Sequence, residues 1–115
     1  MKRNFDLVRA ILIEFENRDA AGNTPIAPIG FSNDDIKYHI QILVDAGLIN
    51  QVVIPSNGQN RPNQLTWEGH EFLDSIRDES QWEKIKSVAK DKGAALSFEV
   101  IKMTAGVIIK NLFNS

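Results

Sequence analysis

The chain has 115 residues, a formal net charge of −2, no cysteine and two histidines. This composition excludes disulfides and thiolate metal sites and leaves little for a histidine-based one. The length suits one domain over residues 1–115, for which we expect a core at 4–78 and a C-terminal extension at 80–113. Charges interrupt the N-terminal segment and no apolar stretch reaches bilayer length, so we expect a cytoplasmic protein with no membrane partner.

Charge is distributed unevenly along the chain. Residues 1–65 carry a net charge of −1, residues 66–81 carry −4 and residues 82–115 carry +3. A protein that binds duplex DNA concentrates lysine and arginine over its contact surface, because neutralising phosphates supplies most of the non-specific affinity. The acidic middle of this chain is therefore unfavourable for such a function.

A first helix is predicted over about residues 4–17 by apolar residues at three- and four-residue steps, namely Phe5, Val8, Ile11, Leu12 and Phe15. Residues 18–31 hold two prolines and two glycines, which disfavour helix. Ile26 and Ile29 fit a short extended segment there, so we expect a connector with one edge strand at most.

A second helix is predicted over residues 33–46. Ser32 is a good N-cap, Asp35 resembles the acidic partner of a capping box, and Gly47 is placed to end the helix in a left-handed turn. Its apolar face consists of Ile36, Ile40, Leu43 and Val44.

Residues 48–54 are rich in β-branched side chains and predict a strand. Residues 55–63 predict a polar, turn-rich loop with Arg61 at its tip, after which Gln64 and Leu65 return as a short second strand. A strand, a loop and a strand in this order predict a wing.

Three further helices are predicted after the wing. Thr66 caps the first of them, which we expect to bury Trp67, Phe72, Leu73 and Ile76. Ser80 and Glu83 form a capping box for the second, which ends at Gly93 and places Trp82, Ile85, Val88 and Ala89 on one side. The last helix, over residues 97–111, is apolar over about two-thirds of its circumference, more than one contact face requires.

Two segments resemble winged-helix regulators. A helix ending in Ala-Gly-Leu-Ile, within Tyr38 to Ile49, matches their recognition helix, and Leu-Thr-x-x-Gly, from Leu65 to Gly69, matches the start of their closing helix. The resemblance implies a mostly helical α+β fold, in which a winged-helix-like domain with a small antiparallel wing carries extra C-terminal helices. One departure is that residues 25–31 leave no room for the supporting helix of a helix-turn-helix.

The whole chain resembles more closely an uncharacterised family of small bacterial and bacteriophage proteins, the domain of unknown function 2513. The matching segments are Met-Lys-Arg-x-x-Asp-Leu-Val-Arg, from Met1 to Arg9, and Leu-Thr-Trp-Glu-Gly-His-Glu-Phe-Leu, from Leu65 to Leu73. This resemblance implies no established activity.

The two histidines invite a metal or acid–base hypothesis, because Glu68 and Glu71 lie near His70. Packing or a hydrogen bond near a helix end explains His39 and His70 more simply, and no third ligand is apparent. Because no nucleophile stands at a suggestive distance from a base and no glycine-rich phosphate loop is present, we expect no catalytic residue, no metal and no cofactor, and a protein that is not an enzyme.

The first functional hypothesis is a nucleic-acid-binding accessory or regulatory protein that contacts duplex DNA through the 33–46 helix and the wing. The candidate residues are Lys37, Tyr38, Gln41, Asn57, Gln59, Asn60 and Arg61. A solvated loop explains the wing residues about as well, and Asp34 and Asp45 on the outer face of the helix would repel phosphates.

The alternative hypothesis is a protein-interaction module that forms a homodimer, or binds another protein, through its apolar C-terminal helix. The candidate interface residues are Val100, Met103, Val107, Ile108 and Leu112. The lysines at positions 84, 86, 90 and 92 form either a basic surface or the solvated side of an amphipathic helix.

Overall fold

The computed structural model describes residues 3–18, 25–93 and 95–114, with the backbone alone at 112–114. Within these ranges the chain forms five helices and one antiparallel sheet of two strands, in the order α1 (Phe5–Asn17), α2 (Asn33–Asp45), β1 (Ile49–Val53), β2 (Asn60–Leu65), α3 (Trp67–Ile76), α4 (Glu79–Asp91) and α5 (Phe98–Asn114). The mostly helical α+β class is confirmed. The winged-helix assignment stays a prediction.

Contacts divide the chain into two compact units, Met1–Leu73 and Asp74–Ser115, with the division inside α3. The single domain over 1–115 stays a prediction, and each unit is described by itself. No helix in the described ranges has both the length and the apolar character needed to cross a bilayer.

In the first unit, α1 and α2 pack against each other. The Asn4 side chain accepts hydrogen bonds from the backbone N–H groups of Asp6 and Leu7, which fixes the start of α1. Ser32 Oγ accepts one from the Asp35 N–H at 3.1 Å, so the predicted cap of α2 is confirmed. The buried side chains of the two helices are Leu7, Val8, Ile11, Leu12, Phe15, Ile36, His39 and Leu43.

The connector before α2 contains no strand at residues 25–31, so Ile26 and Ile29 do not form the edge strand that their spacing allowed. Ile29 is 97% exposed. The Ala27 N–H is donated to the Glu14 carboxylate at 3.1 Å rather than to a neighbouring strand. With proline at positions 25 and 28, the segment has few amide donors left for a sheet.

The hairpin turn is shorter than predicted, because β2 begins at Asn60 instead of Gln64. Arg61 pairs with Val52 inside the sheet, so its placement at the tip of the loop is wrong. Pro62 is tolerated opposite Gln51 because both strands of a two-stranded sheet are edges, where a missing N–H costs little. The turn itself depends on Gly58, which has φ of +71°.

Contacts at the junction between the hairpin and α3 explain why threonine and glycine occupy their positions in the Leu-Thr-x-x-Gly segment. Thr66 Oγ1 accepts a hydrogen bond from the Gly69 N–H at 3.0 Å and donates one to the Gly47 carbonyl at 2.5 Å. A Cβ at Gly69 would lie far closer to the Leu48 carbonyl oxygen than van der Waals contact allows. Only glycine therefore allows α3 to approach the backbone at the start of the hairpin this closely.

Trp67 is 75% exposed, so its predicted burial is wrong. It is the first residue of α3 and lies off the stripe of Phe72, Leu73 and Ile76, which are buried as predicted. Its indole Nε1–H donates to the Glu71 carboxylate at 2.5 Å.

In the second unit, α4 and α5 pack against each other. The predicted cap of α4 at Ser80 is wrong by two residues, because the Asp78 carboxylate accepts the Gln81 N–H at 2.8 Å. Asp78 has the same spacing to Gln81 that Ser80 has to Glu83, and the earlier residue starts the helix. The buried apolar side chains of this unit are Ile76, Trp82, Ile85, Ala89, Ile101 and Ala105.

Candidate functional site

One concave surface in each unit brings together charged and apolar side chains. The first, which we call the N-terminal cleft, has a volume of about 410 Å³ and is lined by Phe15, Arg18, Pro25, Ile26, Asn33, Ile36, Lys37, Ile40, Arg61 and Pro62. The second, the C-terminal groove, has a volume of about 530 Å³ and is lined by Lys84, Val88, Lys92, Met103, Thr104, Val107, Ile108 and Asn111.

The N-terminal cleft combines an apolar floor with three cationic side chains. Arg18 at the end of α1, Lys37 on α2 and Arg61 on β2 line it, and no carboxylate does among the described residues. The guanidinium of Arg18 lies 5.1 Å from the centre of the Phe15 ring, which holds the cation against an apolar surface. The cleft therefore brings three cationic side chains together in a unit that carries more acidic than basic residues.

Arg61 has an unusual environment for an arginine. It is half-buried, and its Nε is shielded from water without a hydrogen-bond partner in the part of the chain that the structure describes. Leaving a buried charged donor unsatisfied costs about 1–3 kcal/mol or more.

Of the residues predicted to contact nucleic acid, the structure brings Lys37 and Arg61 together on the N-terminal cleft. Tyr38 is 36% exposed on α2, and the Gln41 amide is engaged with the Asp45 carboxylate at 3.0 Å. The remaining candidates, Asn57, Gln59 and Asn60, are exposed at the end of the hairpin.

The C-terminal groove runs between α4 and α5. Lys84 and Val88 on α4 form one row with Lys92, which caps the end of α4, because residues four apart lie on the same side of a helix. On α5, Met103 is 69% exposed and Val107 is 54% exposed. These two side chains are one helical turn apart and leave the floor of the groove open to solvent.

The predicted interface residues fall in different places. Met103, Val107 and Ile108 line the groove, whereas Val100 is half-buried outside it and the Leu112 side chain lies outside the described residues. We did not predict from the sequence that one wall of the groove is formed by Lys84, Val88 and Lys92. Their spacing of four residues was the available signal.

The lysines of α4 differ in what they contact. Lys86 forms an ion pair with Glu83 at 3.1 Å and lies 5.4 Å from the Trp82 ring, so folding explains it. Lys84 and Lys92 have no ion pair within the described residues. Two cations at the edge of an apolar groove are free to meet a carboxylate from another molecule.

His39 has a structural role. It is 1% exposed, its Nε2 accepts the Asn4 backbone N–H at 2.8 Å, and its Nδ1 lies 2.8 Å from the Asp35 carbonyl. Because an amide is always the donor, the ring proton is on Nδ1 and is donated to Asp35. His70 is exposed, and the described residues bring together no group of three or more side chains able to hold a metal ion.

Comparison with known proteins gives one family and no solved structure. The family described as "Hypothetical protein (DUF2513)" matches residues 2–95. A Haemophilus influenzae protein named "Uncharacterized protein" is 37% identical over 116 residues, covering 97% of this chain and 98% of that protein. No solved structure is significantly similar to this chain. The matched range contains the Leu-Thr-x-x-Gly segment but ends before α5, and on these matches the chain belongs to the DUF2513 family.

Proposed function

We propose that this protein is an interaction module whose C-terminal groove binds an amphipathic helix with acidic flanks on a partner protein. The observation that carries the proposal is the pairing of an open apolar floor, at Met103 and Val107, with an edge formed by Lys84 and Lys92. Grooves of this kind receive the apolar face of a helix through residues spaced at i, i+4 and i+7.

The apolar floor supports a binding role because apolar surface exposed to water is unfavourable and does not stabilise the fold. Met103 and Val107 lie on the same helix as Ile101 and Ala105, which are buried. An exposed apolar patch bordered by polar residues is typical of an interaction surface. Methionine also adapts its shape to a bound side chain more easily than a branched residue does.

The charge of the groove favours an acidic partner over a second copy of this chain. Its lining includes two lysines and no carboxylate, and residues 82–115 carry a net charge of +3. Two copies meeting on this face would bring four lysines into one contact, and like charges across an interface oppose association. We therefore expect the isolated protein to be a monomer in light scattering.

The spacing of the two lysines sets the spacing of the partner's charges. Lys84 on α4 and Lys92 at its C-cap are eight residues apart, which corresponds to roughly 12 Å along a helix. A partner helix lying along the groove matches them with carboxylates about two turns apart, on either side of its apolar anchors.

A synthetic helical peptide with leucine anchors and glutamates about two turns apart tests the proposal. We expect saturable binding by fluorescence anisotropy that weakens as salt is raised, because part of the affinity comes from exposed charges. The same peptide with lysine in place of glutamate is expected to bind at least roughly tenfold more weakly. Equal binding of the two peptides, or of neither, would contradict the proposal.

Matched variants separate the groove from the rest of α5. Met103→Asp puts a carboxylate on the floor of the groove and is expected to abolish peptide binding. Ile109→Asp is the control, because Ile109 is also an exposed apolar residue of α5, at 39%, but does not line the groove. Loss of binding in both variants would indicate general damage to the helix instead of a specific site.

Nucleic-acid binding by a winged-helix-like core is the second candidate function. It is supported by Lys37 and Arg61, which were predicted separately and lie on one cleft. The exposed carboxylates of Asp34 and Asp45 on the same helix as Lys37 oppose it. A titration with random duplex DNA at low and moderate salt tests this candidate, and no binding at low salt would exclude it because the electrostatic attraction is largest there.

A further inference from the structure

We propose that the N-terminal cleft binds a small organic anion, in which a carboxylate or phosphate group is joined to an apolar body. The N-terminal cleft shares no lining residue with the C-terminal groove. The cleft of about 410 Å³ falls within the usual range for small-molecule sites, roughly 300–1,000 Å³.

The anionic group is assigned to Arg61. Arg61 lines the cleft, and its guanidinium offers a planar set of donors that matches a carboxylate or phosphate. Lys37 lines the same cleft from α2 and adds a second positive charge. No described carboxylate lines the cleft to compete for these donors.

The apolar body of the ligand is assigned to the other walls of the cleft. Ile36 and Ile40 on α2, Ile26 in the connector and Pro62 on β2 provide aliphatic surface on several sides. Inorganic phosphate would leave this surface uncovered. A ligand that carries both parts therefore binds more tightly than either part alone.

The concave shape favours a small ligand over a nucleic-acid duplex. Phosphates of a duplex are met by exposed side-chain ends spread over a surface, whereas Arg61 is half-buried in the wall of the cleft. Binding of duplex DNA is an alternative outcome of the experiment.

Phenyl phosphate is the probe, with inorganic phosphate and phenol as its two separate parts. NMR titration of the full chain is expected to show saturable shifts of residues around the cleft with phenyl phosphate, and affinity at least roughly tenfold above that for either part. Arg61→Gln is expected to weaken binding by about tenfold or more, since a hydrogen bond to a charged group contributes at least that much. Lys37→Gln is expected to have a smaller effect.

Arg3→Gln is the matched control, because Arg3 carries the same charge in the same unit but lies over the Phe5 ring, outside the cleft. Its affinity is expected to equal that of the wild type. Arg61→Lys keeps the charge without the planar donors, so its affinity is expected to lie between those of the wild type and Arg61→Gln. An intermediate affinity in a folded variant would show that Arg61 recognises the ligand directly. Thermal unfolding checks each variant.

Arg18 also lines the cleft, and its neighbour Asp19 lies outside the described residues. The titration is repeated with Asp19→Asn to remove a carboxylate that would compete with the ligand for Arg18. Absence of saturable binding in both the wild type and this variant would overturn the proposal. Binding that Arg61→Gln leaves unchanged would also overturn it. Binding of duplex DNA through Arg61 without binding of phenyl phosphate would replace it with the nucleic-acid function.

Discussion

At the junction between the hairpin and α3, local contacts explain the leucine, threonine and glycine of the Leu-Thr-x-x-Gly segment, whereas the C-terminal groove keeps apolar side chains in contact with water. Leu65 is buried, Thr66 joins two backbone segments, and Gly69 permits a contact that no other residue allows. Met103 and Val107 are more than half exposed. The role of the Leu-Thr-x-x-Gly segment is therefore structural, whereas the exposed apolar residues of the groove are available for binding.

The largest expected effect is at the junction. Gly69→Ala places a Cβ against the Leu48 carbonyl oxygen, so the backbone must move, and we expect a loss of about 3 kcal/mol or more in the free energy of unfolding. Gly106→Ala is the control, since a Cβ there meets no other atom and alanine favours a helix by about 1 kcal/mol. Urea denaturation measures both, and equal effects would contradict the structural reading of the segment.

A smaller loss is expected for His39→Leu. The substitution removes the acceptor of the Asn4 N–H and the donor to the Asp35 carbonyl while keeping an apolar side chain in the core. We expect a loss of about 2 kcal/mol, because a buried donor is left unsatisfied. Urea denaturation tests this, and a change below about 0.5 kcal/mol would show that packing alone accounts for His39.

The smallest effect is expected for Trp67→Ala. Trp67 is a large apolar residue of the Leu-Thr-x-x-Gly segment, but it is 75% exposed. We therefore expect a loss of less than about 0.5 kcal/mol in the free energy of unfolding. Phe72→Ala, in the same helix and 2% exposed, is expected to cost about 3 kcal/mol. Similar losses for the two aromatic residues would mean that Trp67 is covered in solution.

Local signals in the sequence predicted the helices well. The caps at Ser32 and Thr66 and the end of α2 at Gly47 depend on side chains within a few residues of each other, and all three are as predicted. Local pattern failed at α4 because Asp78 and Ser80 both fit the capping box, and the choice depends on the residues that α4 must bury.

Long-range contacts explain the other errors. Asn60, Arg61 and Pro62 have the composition of a turn, yet they pair with β1, because an edge strand accepts a proline that a central strand would not. Trp67 is apolar by composition, but the residues one turn later, His70 and Glu71, are polar, so its side of α3 faces solvent. That spacing was available in the sequence and outweighs the hydrophobicity of a single residue.

The two candidate sites were predictable to different degrees. The wide apolar surface of the last helix pointed to Met103 and Val107, because a single contact face does not require so many apolar residues. The N-terminal cleft was not predicted as a site, since Arg18, Lys37 and Arg61 come from three elements that are distant in sequence. No local pattern brings such residues together.

A charge-reversal cycle tests whether the lysines at the edge of the C-terminal groove recognise carboxylates of a partner helix. Lys92→Glu is measured against the peptide with glutamate at the matching position and against the same peptide with lysine there, with Lys90→Glu as the control because Lys90 is exposed on α4 outside the groove. We expect Lys92→Glu to weaken binding of the acidic peptide and the lysine peptide to restore binding, whereas Lys90→Glu changes neither. Equal effects of the two substitutions, or no recovery with the lysine peptide, would contradict this expectation.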